Sequence, residues 1–449
     1  MAALKVGGVV ANLREWALGR PYFSKKKLLK ETEFLPEKQL EMIRATLLEE
    51  TLKKAKTVPF YAEYLNSSAV ARKEPLKQFE NLPIIDKGIV RRQLKNFCRT
   101  SGWSALKVTT GGSTGQPFGF YMDRFKTRQM EKAFIFDQWS RVGYQLGDPV
   151  FNLRGRAAKS DKFIHHDRFF NIHFASSYNL KMSTVERYVK AVDQIRPRYL
   201  HGYPSTMYQL ASLMDQAGLR FKEVPFAVFC GSEKLFPYQR DLIERVFSSR
   251  VYSWYGHSEC LVLGGECEHS RALHFYPQYG YVEMLPTGTK NASGKDIFEI
   301  VATGFNNHVM PLIRYRTGDY AVLSDQKECR CGRNYLLVDE VIGREQEFVV
   351  DDQGELMSVT GLIFGQHFAV YSGIDGLYLQ QQVQGELVIV MKKSASFNDE
   401  DFMAMKSQIN NQLVDRFNVA YVFADEIPRS NIGKARLVQQ QLDINQYLK

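Results

Sequence analysis

The sequence predicts an α/β protein, with a helical lead-in, a large N-terminal α/β domain and a small α+β domain at its C-terminal end. Three observations carry this. Apolar residues recur at helical spacing between Glu37 and Lys56, at Leu40, Ile43, Leu47, Leu48 and Leu52, with charge on the opposite face. Short strands and helices alternate from Tyr199 to Trp254, a pattern that suits parallel strands joined by helical crossovers. Beyond Gly343-Arg344-Glu345 that alternation gives way to a hairpin, paired strands and one helix.

Taken in order, the Glu37–Lys56 helix opens a mainly helical region that ends near Pro83, within residues 1–83. A strand end at Tyr199–His201 is followed by a helix over Pro204–Gln216, a strand over Phe226–Phe229, a helix over Tyr238–Phe247 and a strand over Val251–Trp254. Shorter β segments follow at Tyr281–Leu285 and Phe298–Ala302. Residues 1–343 form the large domain and residues 344–449 the small one. The latter holds a hairpin over Phe348–Glu355, strands around Leu377–Gln382 and Leu387–Met391, and a helix over Asp399–Phe417.

At 449 residues the chain has material for more than one core, and its 44% hydrophobic and 24% charged content is that of a globular protein. No run of 18 apolar residues is present, and the first ten residues are too weakly apolar for a signal peptide, so a cytoplasmic location is expected. The net charge of +10 is spread in short runs such as Lys25–Lys27 and Arg91-Arg92, without the interleaved aromatics of a nucleic-acid module. A solvated surface explains these runs best, with peripheral membrane contact next. The sequence leaves the oligomeric state open. Six cysteines in a chain this long make no disulfide framework. Cys98, Cys230 and Cys260 sit among apolar residues and are expected in cores. Cys267, His274, Cys329 and Cys331 supply the soft donor set that structural zinc prefers, with His269 an alternative to His274 and buried thiols the plainer reading.

The most informative segment is the loop Val108-Thr109-Thr110-Gly111-Gly112-Ser113-Thr114-Gly115-Gln116. Glycines let its backbone N–H groups converge on an anion, and a polyphosphate is the natural guest. It is not the G-x-x-x-x-G-K-[ST] loop, because Gln116 stands where that pattern needs lysine.

Three further segments follow in order: Tyr255-Gly256-His257-Ser258-Glu259, then Arg314 to Asp319, then Pro428 to Arg436. With the loop, they resemble the signature set of the adenylate-forming enzymes, from about Leu76 to Leu437. Ala302–Phe305, Met310–Asp319 and Cys329–Arg333 resemble the phenylacetate–CoA ligase family, and within it the capsule-biosynthesis (CapK-type) branch. The resemblance implies a large adenylation domain and a mobile C-terminal lid, with ATP and Mg²⁺ as cofactors. It implies that Thr109 to Gly115 clamp the phosphates, that Gly231-Ser232-Glu233 line the adenine edge, and that Tyr255 and Gly256 lie against adenine and the substrate carboxylate. Glu259 would ligate Mg²⁺, Asp319 the ribose hydroxyls, Arg344 would be the hinge, and Lys434 would bridge the carboxylate and the α-phosphate. His201, Tyr203, Phe229, Trp254 and His257 would border the acyl group, with ordinary core packing as the alternative. Similar residues in relatives strengthen the zinc reading. Coenzyme A, or an amine or hydroxyl on a sugar or amino acid, would take the acyl group. A non-catalytic binding module with the same fold is the competing reading.

Overall fold

The computed structural model describes residues 2–66, 75–99, 103–109, 118–154, 163–177, 179–290, 294–342, 348–354, 356–359, 374–393, 397–413, 416–426 and 438–447. The lead-in is helical: α1 (Ala2–Thr32), α2 (Glu37–Ala55), α3 (Pro59–Asn66), α4 (Pro75–Glu80) and α5 (Lys87–Arg92). The sequence reading placed the first helix at Glu37, so α1 is an addition. Its pattern is hard to read because Pro21 lies inside it and Gly19 breaks the helical backbone at φ 76°. Asp86 caps α5 by accepting from the Ile89 N–H at 2.7 Å.

A hairpin of β1 (Ala105–Thr109) and β2 (Gly119–Asp123) then brackets the glycine-rich loop, with Thr109 paired to Gly119. After α6 (Thr127–Ser140) come β3 (Val150–Arg154), β4 (Ile164–Asp167), β5 (Ile172–Ser176), α7 (Met182–Ile195), β6 (Tyr199–Gly202), α8 (Pro204–Gln216), β7 (Ala227–Gly231), α9 (Pro237–Phe247) and β8 (Val251–Gly256). Then follow β9 (Leu263–Gly265), β10 (Leu273–Phe275), β11 (Gly280–Lys290), β12 (Asp296–Gly304), β13 (Tyr315–Leu323) and β14 (Leu336–Ile342). Strands β3 to β14 build one 12-stranded sheet in the order β11-β12-β13-β14-β10-β9-β8-β7-β6-β3-β5-β4. At its centre β3, β6, β7 and β8 run parallel, as the alternation implied.

These strands are covered on both faces, and β7 shows how the pattern does it. Val228 and Cys230 join one core with residues of α7, α8 and α9, while Ala227 and Phe229 join another with Trp139 of α6. Phe226, predicted inside this strand, instead lies before it and is 58% exposed. A third core packs the lead-in helices and β1–β2 hairpin against the β11–β13 region through Leu52, Tyr61, Phe97, Phe120, Ile300 and Tyr315. Cys98 is half-buried at its margin rather than inside it, whereas Cys230 and Cys260 are buried as expected.

The last part of the chain has its own core. The hairpin β15 (Phe348–Val350) and β16 (Leu356–Ser358) precedes a sheet of β17 (Ile374–Gln381), β18 (Glu386–Lys393), β19 (Asn418–Phe423) and β20 (Val438–Gln440), covered by α10 (Asp399–Leu413). Leu377, Leu387, Ile389 and Met391 pack on Met405, Ile409 and Leu413. The described helix runs to Leu413, and Arg416 and Phe417, expected inside it, lie in a turn that leads to β19. Arg416 also donates to the Leu180 carbonyl of the preceding part of the chain.

Candidate active site and metal cluster

Four parallel strands end on the same edge of the sheet, and their ends carry the polar residues of the site. Arg154 closes β3, Tyr203 follows β6, Ser232 and Glu233 follow β7, and His257 and Glu259 follow β8. The crevice beyond strand carboxyl ends is where open α/β sheets hold ligands.

Tyr255 and Asp319 are distant in sequence but touch here. The Tyr255 hydroxyl donates to Asp319 Oδ2 at 2.9 Å, and the Thr317 hydroxyl accepts from the Asp319 N–H at 3.1 Å. Asp319 lies within β13, just after Gly318 at φ 79°, so it is a strand residue rather than a turn residue. Its other carboxylate oxygen and free lone pairs are acceptors suited to a diol. Burial, then the Asp319 charge, pushes the Tyr255 hydroxyl pKa well up, so it stays a donor. Its ring stacks on Phe275 with centroids 5.8 Å apart.

Glu259 is only 6% exposed and sits in a turn after β8, not at a helix start. Lys87 Nζ lies 3.8 Å from its Oε1. A hard cation that keeps several waters needs only one or two carboxylates, so Glu259 fits a Mg²⁺ ligand. Between Tyr255 and Glu259, both ring nitrogens of His257 are buried without a hydrogen-bond partner among the described residues. Burial lowers its pKa against the opposing pull of Glu259 and Asp319, leaving a neutral imidazole with one donor and one acceptor to offer.

The aromatic wall is set by close approaches. A Cβ on Gly231 would lie 2.2 Å from the Trp254 ring, so only glycine lets that indole pass. Trp139 stacks on Phe229 at 4.5 Å and meets His201 edge-on at 5.0 Å. His201 is 2.9 Å from both Asn152 Nδ2 and Arg154 Nη2. A neutral imidazole accepts at one nitrogen only, and arginine always donates. Nε2 therefore accepts from Arg154, and Nδ1–H donates to the Asn152 amide with its oxygen turned inward. Burial and then Arg154 hold the His201 pKa well below its usual value. Ser232, at φ 71°, turns the chain after β7 so that Glu233 accepts from the Ser205 N–H at 3.1 Å. Tyr203 lies under the Arg154 guanidinium at 5.7 Å.

Sequence reasoning missed Asn152, Arg154 and Trp139. An asparagine and an arginine within the otherwise apolar Val150–Arg154 segment were the available signal. Thr109 closes β1, but Thr110 to Gly115, Arg344 and Lys434 lie outside the described residues.

A second cluster is formed by Cys267, His274, Cys329 and Cys331, whose donor atoms all lie within 4.8 Å of one another. Cys267 and Cys329 Sγ are 3.6 Å apart, and Cys331 Sγ is 3.3 Å from His274 Nε2. A tetrahedral zinc with bonds of about 2.3 Å to sulfur and about 2.0 Å to nitrogen has edges of about 3.8 and 3.5 Å. The donor set fits. His274 Nδ1 faces the Ala272 carbonyl at 3.0 Å, the partner that leaves Nε2 free to ligate. The His269 and Ser270 N–H groups donate to Cys267 Sγ at 3.3 and 3.2 Å, and the His269 ring is not part of the group. Hydrogen bonds from Cys267 and then His274 hold the Cys331 thiol well below its ordinary range.

No protein-family model matches the chain. Protein CapK of Staphylococcus aureus is 22% identical over 388 residues, covering 85% of this chain and 84% of that protein. Phenylacetate-coenzyme A ligase of Thermus thermophilus is 27% identical over 172 residues, 37% of this chain and 38% of that protein. Among solved structures, 2-hydroxyisobutyryl-CoA ligase with 2-HIB-AMP and CoA in its thioesterification state superimposes with a TM-score of 0.58 at 18% identity. The match covers 93% of this chain and 92% of that one. The same ligase in a postadenylation state with 2-HIB-AMP gives 0.55, with 93% of each chain covered. The fold is that of the adenylate-forming CoA ligases, and the sequence is related to CapK and phenylacetate–CoA ligase.

Proposed function

We propose that this chain, an adenylate-forming ligase of the phenylacetate–CoA ligase-like kind, activates a small carboxylic acid with ATP and passes the acyl group to an acceptor. The contact between Tyr255 and Asp319, made at the strand edge that also carries Glu259, is the observation that best supports this reading. It brings two of the motifs, 64 residues apart in sequence, into direct contact.

In the first half-reaction a substrate carboxylate oxygen forms a bond to the α-phosphorus of ATP, the bond from that phosphorus to the α,β-bridging oxygen breaks, and pyrophosphate leaves with its electron pair. Both reactants are anions, so positioning and charge compensation dominate the catalysis. Asp319 accepts the ribose hydroxyls with Tyr255 fixing its orientation. Gly231 to Glu233 flank adenine, and Thr109 to Gly115 hold the terminal phosphates. His257, His201, Tyr203, Phe229 and Trp254 enclose the acyl group and exclude water. Glu259 would hold Mg²⁺, which supplies charge neutralisation at the phosphates. Lys434, from a C-terminal lid of residues 344–449 hinged at Arg344, compensates charge on the α-phosphate and withdraws before transfer.

The similarity to CapK over most of the chain favours capsule or O-antigen polysaccharide biosynthesis as the setting. A CoA ligase binding acyl-AMP and CoA on this fold favours coenzyme A as the immediate acceptor, with an amino sugar or amino acid as the second reading. ATP–pyrophosphate exchange across aryl, fatty, hydroxy, amino and uronic acids tests the first half. Trapping the products of exchange-active acids with and without coenzyme A separates the acceptors. Absence of exchange with every acid would overturn the proposal.

A further inference from the structure

A group of positive charges is assembled from four parts of the chain. Lys54, in the last turn of α2, has its Nζ 3.3 and 3.1 Å from the two ring nitrogens of His308. Near-equal distances to both nitrogens place the ammonium over the ring face rather than on an in-plane lone pair. Lys25 of α1 stands beside it, its Nζ 6.0 Å from the centre of the Phe134 ring. Arg99 and Lys126 complete the group, and Lys126 leads directly into α6, whose N-terminus carries partial positive charge.

The cations act on one another. Lys25 falls to about 8 through burial and then Lys54. The Lys54 ammonium is lowered by burial first, against the pull of Glu50 and with the push of Arg99 and Lys126. His308 falls to about 4 through burial, then Lys54, Lys25 and Lys126, and is therefore neutral. The acids placed against the group are Glu50 and Asp123, the latter 3.9 Å from Lys126 Nζ. Among the described residues, two carboxylates face four cations, a surplus of about two positive charges. The C-terminal carbonyls of α2 favour one ammonium there but not several.

A second observation points the same way. Asn306 is fully buried, yet its side-chain NH2, a donor that suits an anion, lacks a partner among the described residues. Asn306 adjoins the α6 N-terminus, where the Thr127 hydroxyl donates to its carbonyl at 3.4 Å, and it lies two residues before His308. Buried polar groups are rarely left unmatched unless a ligand or water completes them.

We propose that the pocket between α1, α2, the 306–308 turn and the N-terminus of α6 binds a dianionic phosphate group. A phosphate monoester matches its charge, its mixture of ammonium and amide donors and its partial exposure. The site uses none of the residues named for adenylation and does not depend on their assignment.

Calorimetric titration of the full chain with inorganic phosphate, at constant ionic strength set by chloride, tests it. The wild type should bind, and Lys54→Met and Lys25→Met should each weaken binding at least about tenfold, since each removes a charge-assisted contact. In phosphate-free buffer the same variants should melt no lower than wild type, because each relieves repulsion. Lys190→Met, which removes an exposed ammonium paired with Glu186 on α7, should change neither reading. Coenzyme A against dephospho-coenzyme A, and glucose 1-phosphate against glucose, then distinguish a nucleotide from a sugar source by which phosphorylated member gains affinity. No phosphate binding by the wild type would overturn the proposal. So would equal binding by the lysine variants, or lower melting of both without phosphate, which would make these lysines structural.

Discussion

Replacing Cys331 with serine puts the metal reading at most risk. The four donors come from three segments: Cys267 after β9, His274 on β10, and Cys329 and Cys331 in the turn before β14. Their spacings of 3.6 and 3.3 Å are those of ligands around a common ion, and a zinc there would hold these segments together. Without the ion, the buried sulfurs and an imidazole crowd one another with only weak S–H hydrogen bonds in exchange. Loss of a structural metal belongs to the short list of changes that cost about 4 kcal/mol or more. At roughly 2–4 °C per kcal/mol for a domain of moderate size, the melting temperature should fall by about 8–16 °C. Purified wild type should carry close to one zinc per chain by elemental analysis, and Cys331→Ser should lose most of it along with the stability. Wild type purified without metal at full stability would refute the reasoning, as would a serine variant that keeps zinc and melts normally.

Three other outcomes follow from named groups. Asp319→Ala should weaken ATP binding by about 1–3 kcal/mol, the range for a lost buried hydrogen-bonding partner, and Tyr255→Phe should do so by less; unchanged affinity in both by titration would mean that this contact is not the ribose site. Lys434→Ala should lose adenylate formation by orders of magnitude yet still transfer from a synthetic acyl-AMP, and equal loss of both half-reactions with an intact fold would count against an alternating lid. Glu131, buried against the Tyr279 hydroxyl, has its pKa raised by burial from 4.5 to about 7, so its contribution to stability is complete below pH 4.5 and is lost as pH rises through 7. Glu131→Gln keeps an acceptor for Tyr279 and should flatten that fall, which cannot exceed about 1.4 kcal/mol per pH unit for one proton; superimposable melting profiles from pH 5 to 8 would exclude it.

Much of the frame was legible because its signals are local. The strands and helices from Tyr199 to Trp254 alternate with clear turn residues, and Pro204 and Pro237 mark the first turns of α8 and α9. The long α1 was not legible, since Gly19 and Pro21 break the pattern inside a helix whose partner, α6, is more than a hundred residues away. Site residues divide along the same line. Tyr255, Glu259 and Asp319 were named by motif, but only folding shows that one hydroxyl joins two of them. Asn152, Arg154 and Trp139 carry no local mark of proximity to His201; they meet it because β3 pairs with β6 and α6 lies on that face. The choice between His269 and His274 likewise needed the sheet, where β10 pairs with both β9 and β14 and delivers His274 to the thiols.

That same pairing ties the Cys/His cluster to the proposed nucleotide site. His274 and Phe275 are neighbours on β10, one facing the thiols and the other stacked on Tyr255, which holds Asp319. Gly264 allows the approach, since a Cβ there would lie 2.3 Å from the Phe275 ring. A metal that fixes His274 would therefore fix the surface on which Tyr255 rests, two contacts from Asp319, the proposed ribose acceptor. Effects transmitted through packed neighbours of this kind are usually about 0.5–3 kcal/mol. Folded Cys331→Ser protein, assayed well below its lowered melting temperature, should then bind ATP more weakly than wild type. Combining it with Tyr255→Phe should cost less than the two losses added, because the second change removes the route by which the first acts. Full additivity in this double-mutant cycle would show that the cluster serves stability alone and that the ribose site is held from the β13 side, through Thr317 and Gly318.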